Sequence, residues 1–480
     1  MKFIVKLFPE IMVKGSAAKK KMVRQLNNNL CALFLRVDKS VKVRYFWDKL
    51  EVHADERFVD EVRRILMQTP GIEYFLEVTQ FPLSQSLQEM ADTVAEHVLD
   101  SIEGKTFVVR VKRCGHHAFS SLDAERFIGS VLFHNGKSAG VDLNNADVRI
   151  DIEIDERTMN IVSAKRTGLG GYPMGTQGDL LSLMSGGFDS TVASYLTMKR
   201  GLKTHFIFFN LGGAAHEIGV KQVALYLWSK FGASHRVHFV TVPFEAVVAE
   251  LFDKVHMSYM GVMLKRLMLM ASERIAEKMN IDVLVTGESV AQVSSQTLRN
   301  LAVIDKVTDM LVLRPLATMN KPEIMAIADQ IGTRHFAENM PEYCGVISKN
   351  PVINASFERM EREAKKFDDA VLEQAIEASS RIAVDKIVED LSNTAHVEIL
   401  NTVPANTVVI DIRAEAEEQR NPLGLEAVLT IPFHVLNQQF AKLDQDKAYL
   451  LYCEKGVMSQ LHAQYLNDKG FANVRVYRPS

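Results

Sequence analysis

Two stretches of this chain hold residue types at spacings that could do chemistry. The first is Ser185-Gly186-Gly187-Phe188-Asp189-Ser190, which follows the apolar run Leu180–Met184 and precedes a helical pattern from Thr191. A buried strand, a glycine turn and a helix start in succession make an anion site: glycines let consecutive N–H groups converge, and the helix dipole adds partial positive charge. Ser190 is placed to cap the helix or touch a phosphate, and Asp189 could hold Mg²⁺. The pattern is not a Walker loop, since G-x-x-x-x-G-K-[ST] is absent. A tight turn whose glycines serve packing alone is the weaker competing reading. The second stretch is Cys453-Glu454-Lys455-Gly456-Val457-Met458-Ser459, after the strand Tyr449–Tyr452 and before a helix from Gln460. A thiol cradled by loop N–H groups at a helix start is biased toward thiolate, the form that attacks sulfur.

Four cysteines occur, Cys31, Cys114, Cys344 and Cys453, and none forms a C-x-x-C pair, which argues against a structural zinc site or a cysteine-bound iron–sulfur cluster. So few in a reducing compartment do not make a disulfide framework, so a cysteine that matters here matters as a nucleophile. Cys344 lies in the breaker-rich segment Met340–Lys349, while Cys31 and Cys114 have no such setting and read as structural.

Several elements must position these groups. At 480 residues the chain exceeds one hydrophobic core, and two to four domains are expected. A net charge of −3 excludes wholesale attraction to nucleic acid, so any RNA contact must come from local basic patches. Met1–Phe8 reads as an alternating strand and not a signal peptide, and no run of about 18 uncharged apolar residues would span a membrane, so the cytosol is the expected location.

Residues 1–60 mix strands with a helix carrying the basic run Lys19-Lys20-Lys21. Residues 61–165 form an α+β module in which the period of two along Thr106–Arg113 sends Phe107, Val109 and Val111 to one face and Val108, Arg110 and Lys112 to the other. Arg110, Lys112 and Arg113, with Lys165-Arg166 at the end of the module, give it a partly basic face, nearly balanced by nearby acids such as Asp147 and Asp151. The glycine-rich connector Thr167–Gly178 marks a boundary. Beyond it, Leu180–Met184, His205–Phe209, His238–Val242 and Val283–Thr286 alternate with helical patterns, the mark of a doubly wound parallel sheet over 166–395. Charged helices are expected over 353–393, and a small α/β unit over 402–480.

The loop Ser185–Ser190 resembles the pyrophosphate loop of ATP pyrophosphatases, which cleave ATP to AMP and pyrophosphate and adenylate a carbonyl oxygen. Together with Gly168–Gly178, Thr286–Leu298, Arg314-Pro315-Leu316 and Asn320-Lys321-Pro322-Glu323-Ile324, it makes the chain resemble, over essentially its whole length, the tRNA 4-thiouridine synthetases that also serve thiamine biosynthesis. Residues 1–60 are then ferredoxin-like, 61–165 resemble a THUMP RNA-binding module, 166–395 an ATP pyrophosphatase domain and 402–480 a rhodanese, whose C-x-x-G loop with a following serine is matched at Cys453, with Asp411-Ile412-Arg413 and Ile431-Pro432-Phe433 as its earlier strand and turn.

The resemblance implies that Leu183 and Met184 flank an adenine, that Ser185, Gly186, Gly187, Ser190, Lys265, Gly287 and Gln296 also bind ATP, that Asp189 serves Mg²⁺, and that Lys321 meets the developing phosphate charge. Cys453 would carry a persulfide, and Cys344 would attack it to leave a disulfide that a cellular thiol reductant reopens. Val457 and Met458 stand where thiosulfate-using rhodaneses often have arginine, which favours a cysteine desulfurase as donor. The implied partners are tRNA, that desulfurase and the sulfur-carrier protein of thiazole synthesis. The implied reaction places persulfide sulfur on C4 of a tRNA uridine, at position 8, through an adenylated intermediate. Rival readings are an amide-forming ligase with an accessory rhodanese, an RNA-binding scaffold that relays sulfur only, and an iron–sulfur tRNA 2-thiolase. His116 and His117 have no assigned role.

Overall fold

The computed structural model describes residues 1–479 apart from 85, 212–213, 339, 341–349, 388, 390–396, 414–417, 419–420, 426–427, 433–435, 437–438 and 454–456. The chain divides into two compact units, Met1–Thr176 and Gln177–Ser480.

The first unit is built on one eight-stranded sheet. Its strands are β1 (Lys2–Leu7), β2 (Lys42–Tyr45), β3 (Lys49–His53), β4 (Ile72–Pro82), β5 (Thr106–Arg113), β6 (Gly140–Val141), β7 (Val148–Ile154) and β8 (Thr158–Gly170), in the order β2-β3-β1-β4-β8-β7-β5-β6. Helices Ser16–Phe34 and Val59–Gln68 cover one end, burying Leu26, Leu30, Leu66, Phe3 and Phe75. Helices Leu87–Ile102 and Ser121–Asn135 cover the other, over Phe107, Val109, Val111, Ile150 and Ile152. The alternation read along β5 is therefore met, with Val108 buried as well at 6% exposure.

The modules expected on either side of residue 60 share this sheet, because β1 pairs with β3 before that point and with β4 after it. The sheet also curls. Lys49 on β3 and Asp155 just beyond β7 form a 2.9 Å ion pair, and Lys6 reaches Glu153 at 3.3 Å. The strand order sets β3 and β7 four places apart, about 19 Å if the sheet were flat.

The connector expected to begin at Thr167 starts instead as strand. Thr167 pairs with Tyr74 and Gly170 with Ile72 across an irregularity in register. A Cβ at Gly168 would lie 2.4 Å from the Ile72 carbonyl oxygen, so its glycine serves close strand approach, and the unit boundary falls after Thr176.

The second unit holds two sheets. The larger comprises β9 (Asp179–Leu183), β10 (Lys203–Asn210), β11 (His238–Pro243), β12 (Val283–Val285), β13 (Leu311–Leu313) and β14 (Ser380–Ala383), in the order β13-β12-β9-β10-β11-β14. All its pairings are parallel except that of β14, which runs antiparallel to β11 and occupies part of the stretch expected to be helical. Helices cover both faces: Met260–Lys278 buries Met263, Leu264 and Leu267 on one, while Phe188–Lys199 and Lys321–Ile331 bury Val192, Ile324 and Ala328 on the other. This is the expected doubly wound architecture.

The smaller sheet comprises β15 (Ile399–Leu400), β16 (Thr407–Asp411), β17 (Val428–Thr430), β18 (Ala448–Tyr452) and β19 (Val474–Tyr477), all parallel, in the order β15-β19-β18-β16-β17. In an open parallel sheet the ligand crevice lies at the carboxyl ends of the strands where the order reverses. Here those points are between β9 and β12 and between β16 and β18.

Candidate functional site

At the first reversal, β9 runs through Met184 into the glycine turn. Gly186 has a φ of +82°, and Gly187 sits at the cap position of helix Phe188–Lys199, where no side chain bonds the terminal amides. The helix thus begins three residues earlier than its pattern suggested. Ser190 does not cap it: its Oγ accepts the Ser185 N–H at 3.1 Å and donates to the Gly187 carbonyl at 3.3 Å, folding the loop onto itself. The helix-start amides therefore remain for an anion. His216, buried at 6% exposure, lies 3.3 Å from the Ser185 carbonyl through Nε2 and packs edge-on against Phe208, and burial pulls its pKa below the ordinary value.

From β12 the chain enters Thr286–Gln296 and closes on this loop. A Cβ at Gly287 would lie 2.5 Å from both the Asp189 carbonyl carbon and the Ser190 nitrogen, so only glycine permits that approach. Asp189 receives two partners at once, Lys321 Nζ on Oδ1 at 2.9 Å and Gln292 Nε2 on Oδ2 at 2.7 Å. Lys321 is the first residue of its helix, set by a capping box between Asn320 and Glu323 with Pro322 following, so local sequence chemistry aims it at the loop. Gln296 is buried at 8% exposure, and its Oε1 has no hydrogen-bond partner among the described residues. Such an orphan is costly unless a ligand satisfies it.

Lys265 is not a solvated helix lysine. Its Nζ lies 2.6 Å from Glu288 Oε1, while Arg314 Nε donates to Glu288 Oε2 at 2.8 Å and Thr286 Oγ1 to the same oxygen at 3.0 Å. Arg314 in turn holds Asp305 through two bonds of 2.8 and 2.5 Å. Burial on its own would raise the Glu288 carboxyl, but Lys265 and Arg314 outweigh it and hold the pKa down at about 2. Glu288, Arg314, Gln292 and His216 were not singled out as site residues from sequence. Glu288 and Arg314 stand in segments whose pattern was noticed, but a lone Glu or Arg carries no signal that it will be buried and paired.

At the second reversal Cys453 directly follows β18, with 9% exposure. The Ser459 N–H donates to its Sγ at 3.3 Å, and Ser459 Oγ lies 3.4 Å away. The buried Asp411–Arg413 pair, 2.6 Å apart, stands at the end of the neighbouring β16, and the Arg413 guanidinium lies 5.1 Å from the Tyr452 ring centre. Glu454, Lys455 and Gly456 lie outside the described residues, as do Cys344 and Phe433. Met340, four residues before Cys344, is described: a Cβ at Gly186 would lie 2.5 Å from its Cε.

The basic candidates divide. Arg166 is tied to Glu77, which Arg63 also holds, and Arg110 donates to the Leu143 carbonyl at 2.7 Å and lies 4.0 Å from Glu125. Lys112 is largely exposed, 3.9 Å from Glu153; Lys165 is exposed over the Tyr74 ring at 4.3 Å; and Arg113 has no carboxylate partner among the described residues. His117 Nε2 lies 2.9 Å from the Cys114 carbonyl and its ring stacks on Phe119, a local structural setting.

Comparison with known proteins bears on both sites. Residues 84–163 match the THUMP domain, 175–368 the thiamine biosynthesis protein (ThiI) family and 395–480 the rhodanese-like domain. A tRNA sulfurtransferase from Pseudomonas syringae pv. syringae (strain B728a) is 48% identical over 100% of both chains. The chain belongs to the tRNA sulfurtransferase family. A relative of the same name from Shigella dysenteriae serotype 1 (strain Sd197) is 45% identical, again over 100% of both chains. Among solved structures, a 4-thiouridine synthetase–RNA complex with bound ATP matches at a TM-score of 0.69 and 26% identity, covering 80% of this chain and 99% of that one. Family membership makes the chain an enzyme and removes the amide-ligase reading. No group of three or more His, Cys, Asp or Glu side chains among the described residues could hold a metal ion, and no described helix is long and apolar enough to cross a membrane.

Proposed function

We propose that this enzyme adenylates C4–O of a tRNA uridine, at position 8, with ATP at the β9–β12 crevice, and places on that carbon a sulfur carried as a persulfide on Cys453. The observation that carries the reading is the convergence at one strand-order reversal of a glycine loop whose helix start has no side-chain cap, the Asp189–Lys321 pair and the orphaned Gln296 Oε1. A ligand there meets uncapped helix amides for its phosphates and a buried acceptor for a donor on its base. The related synthetase with bound ATP and RNA supports the same assignment.

In this reading Leu183 and Met184 line the adenine, and Ser185, Gly186, Gly187 and Ser190 wrap the phosphates. Gly287 lets the second loop close, Gln296 reads the base, and Glu288 holds Lys265 toward the nucleotide. Lys321 neutralises charge that develops as pyrophosphate leaves. Asp189 is the one acid of the loop, so Mg²⁺ fits only as an ion held chiefly by the phosphates, with Asp189 supplying an oxygen. Cys453, its sulfur held by the Ser459 amide, receives a persulfide from a cysteine desulfurase and passes the outer sulfur to C4 with loss of AMP. At that stage the transferred sulfur is bonded to both C4 and Cys453. Cys344 attacks the Cys453 sulfur, the S–S bond breaks and the thiouridine leaves as its thiolate. A cellular thiol reductant then reopens the Cys344–Cys453 disulfide. Lys112, Arg113 and Lys165 are the cations best placed to meet RNA phosphates without reading sequence.

Cys453 lies in a sheet separate from the glycine loop, so sulfur transfer to a sulfur-carrier protein for thiazole synthesis is a second role, which the description of the matched ThiI family favours. A tRNA substrate and partners of this kind support a cytosolic location. The deciding test is sulfur incorporation into unmodified tRNA with Mg-ATP, cysteine and a cysteine desulfurase. Thiolated uridine should appear with wild type and not with Cys453→Ala, and only with ATP. Persulfide formation without tRNA thiolation would leave the relay to thiazole as the function.

A further inference from the structure

The β2–β3 hairpin carries three consecutive aromatic residues, Tyr45, Phe46 and Trp47, exposed at 50%, 41% and 74%. Rings of this size normally go to the core or to an interface, and a run of them at a turn is a surface without its partner. The turn itself is well formed, since the Phe46 N–H donates to the Lys49 carbonyl at 2.8 Å. Cations are already seated on the rings: Lys19 Nζ stands 4.3 Å from the Trp47 ring centre and Lys49 Nζ 5.3 Å from that of Phe46. Lys20, Lys21 and Arg24, on the helix that Lys19 helps to open, are exposed, as are Lys42 and Arg44 on β2, and none of the five pairs with a carboxylate among the described residues. Between residues 39 and 49 the only acid is Asp48. The mechanism above uses none of these groups.

We propose that this hairpin is a stacking site for an unpaired nucleotide of the RNA substrate, with Trp47 as the platform and Lys19, Lys20, Lys21 and Arg24 meeting the phosphates on either side. The proposal rests on the reading of the enzyme as RNA-binding and assigns it a site apart from Lys112, Arg113 and Lys165. A base offers a flat π face to an exposed indole, a contact worth about 1–3 kcal/mol that is indifferent to base identity. A paired stem cannot use it, because its bases are stacked on one another, so the target is a single-stranded end or loop. A protein partner fits less well, since the centres of protein interfaces are depleted in lysine. An aromatic tip with basic flanks also suits an anionic lipid surface, which the test separates.

Trp47 reports on itself. The chain has two tryptophans, and the other, Trp228, is buried at 8% exposure with its indole N–H donating to the His235 carbonyl at 2.8 Å. Intrinsic emission of the full chain is followed on titration with a short unstructured oligoribonucleotide, with the same strand annealed to its complement, and with phosphatidylserine-containing vesicles. In parallel, filter retention measures tRNA affinity for wild type, Trp47→Ala and Trp47→Phe. The single strand should quench emission strongly and the duplex weakly. Trp47→Ala should weaken tRNA binding by roughly 5- to 100-fold with an unchanged salt slope, because no phosphate contact is lost, and Trp47→Phe should fall between. Equal quenching by duplex, quenching by vesicles alone, or wild-type affinity in Trp47→Ala overturns the proposal while the RNA-binding reading stands. If the wild type retains no tRNA, that reading fails with it.

Discussion

Glu288 is a buried carboxylate held between two cations at the crevice proposed for ATP. The carboxylate is buried at 6% exposure, with Lys265 at 2.6 Å on one oxygen and Arg314 at 2.8 Å on the other. Its pKa falls from an ordinary 4.5 to about 2, a difference that corresponds to roughly 3 kcal/mol of folding free energy. Because the folded-state value is the lower one, this contribution is full above about pH 4.5 and is lost as the pH falls toward 2. Glu288→Ala removes the only carboxylate bonded to Lys265 among the described residues, whereas Arg314 keeps Asp305, and should cost about 3–5 kcal/mol at pH 7. Glu288→Gln keeps the shape and drops the charge, so it should cost less, about 2 kcal/mol, and raise KM for ATP more than it lowers kcat as Lys265 loses its anchor. Urea unfolding at pH 7 and pH 4, followed by Trp228 emission in a Trp47→Phe background, measures the first effect. An unfolding midpoint for Glu288→Gln within about 0.5 kcal/mol of wild type would refute the argument, since that is the scale of an ordinary surface change.

Other expectations follow from the same geometry. Asp189→Asn and Lys321→Met should each lower RNA-dependent pyrophosphate release by about 10²-fold or more while persulfide loading on Cys453, followed by mass spectrometry, stays at the wild-type level. Cys453→Ser should abolish thiolation yet retain pyrophosphate release, which separates adenylation from sulfur transfer. Gly287→Ala drives a methyl to 2.5 Å from the backbone of Asp189 and Ser190, so ATP affinity measured by calorimetry should fall at least tenfold. His205, whose Nδ1 accepts the His238 N–H at 3.0 Å, is held neutral by burial and by Lys203, its pKa lowered to about 4 from 6.5. Its depressed value means stability is full above pH 6.5 and declines toward pH 4, by up to about 3 kcal/mol. His205→Gln should flatten that limb in pH-dependent urea unfolding.

Much of this was legible in the chain before folding. The strand alternation of Thr106–Arg113, the apolar runs Leu180–Met184 and His205–Phe209, and the glycine turn after Met184 are local signals, and period and turn chemistry act on neighbouring residues. Cys453 at the end of an apolar strand belongs with them. Other features misled because their cause is not local. The glycines of Thr167–Gly170 looked like a linker and proved to be strand, since the demand for a missing Cβ at Gly168 comes from Ile72, nearly a hundred positions away. Ser380–Ala383 looked helical and became an edge strand because β11 offered it a ladder. The sequence by itself determined the kinds of chemistry available, a phosphate loop and a thiol at the ends of parallel strands. Only the tertiary structure decided which distant side chains complete them. It set Gln292 and Lys321 on Asp189, Lys265 and Arg314 on Glu288, and Lys19 on Trp47. Charge pairing and close approach act through space, and sequence separation carries no record of them.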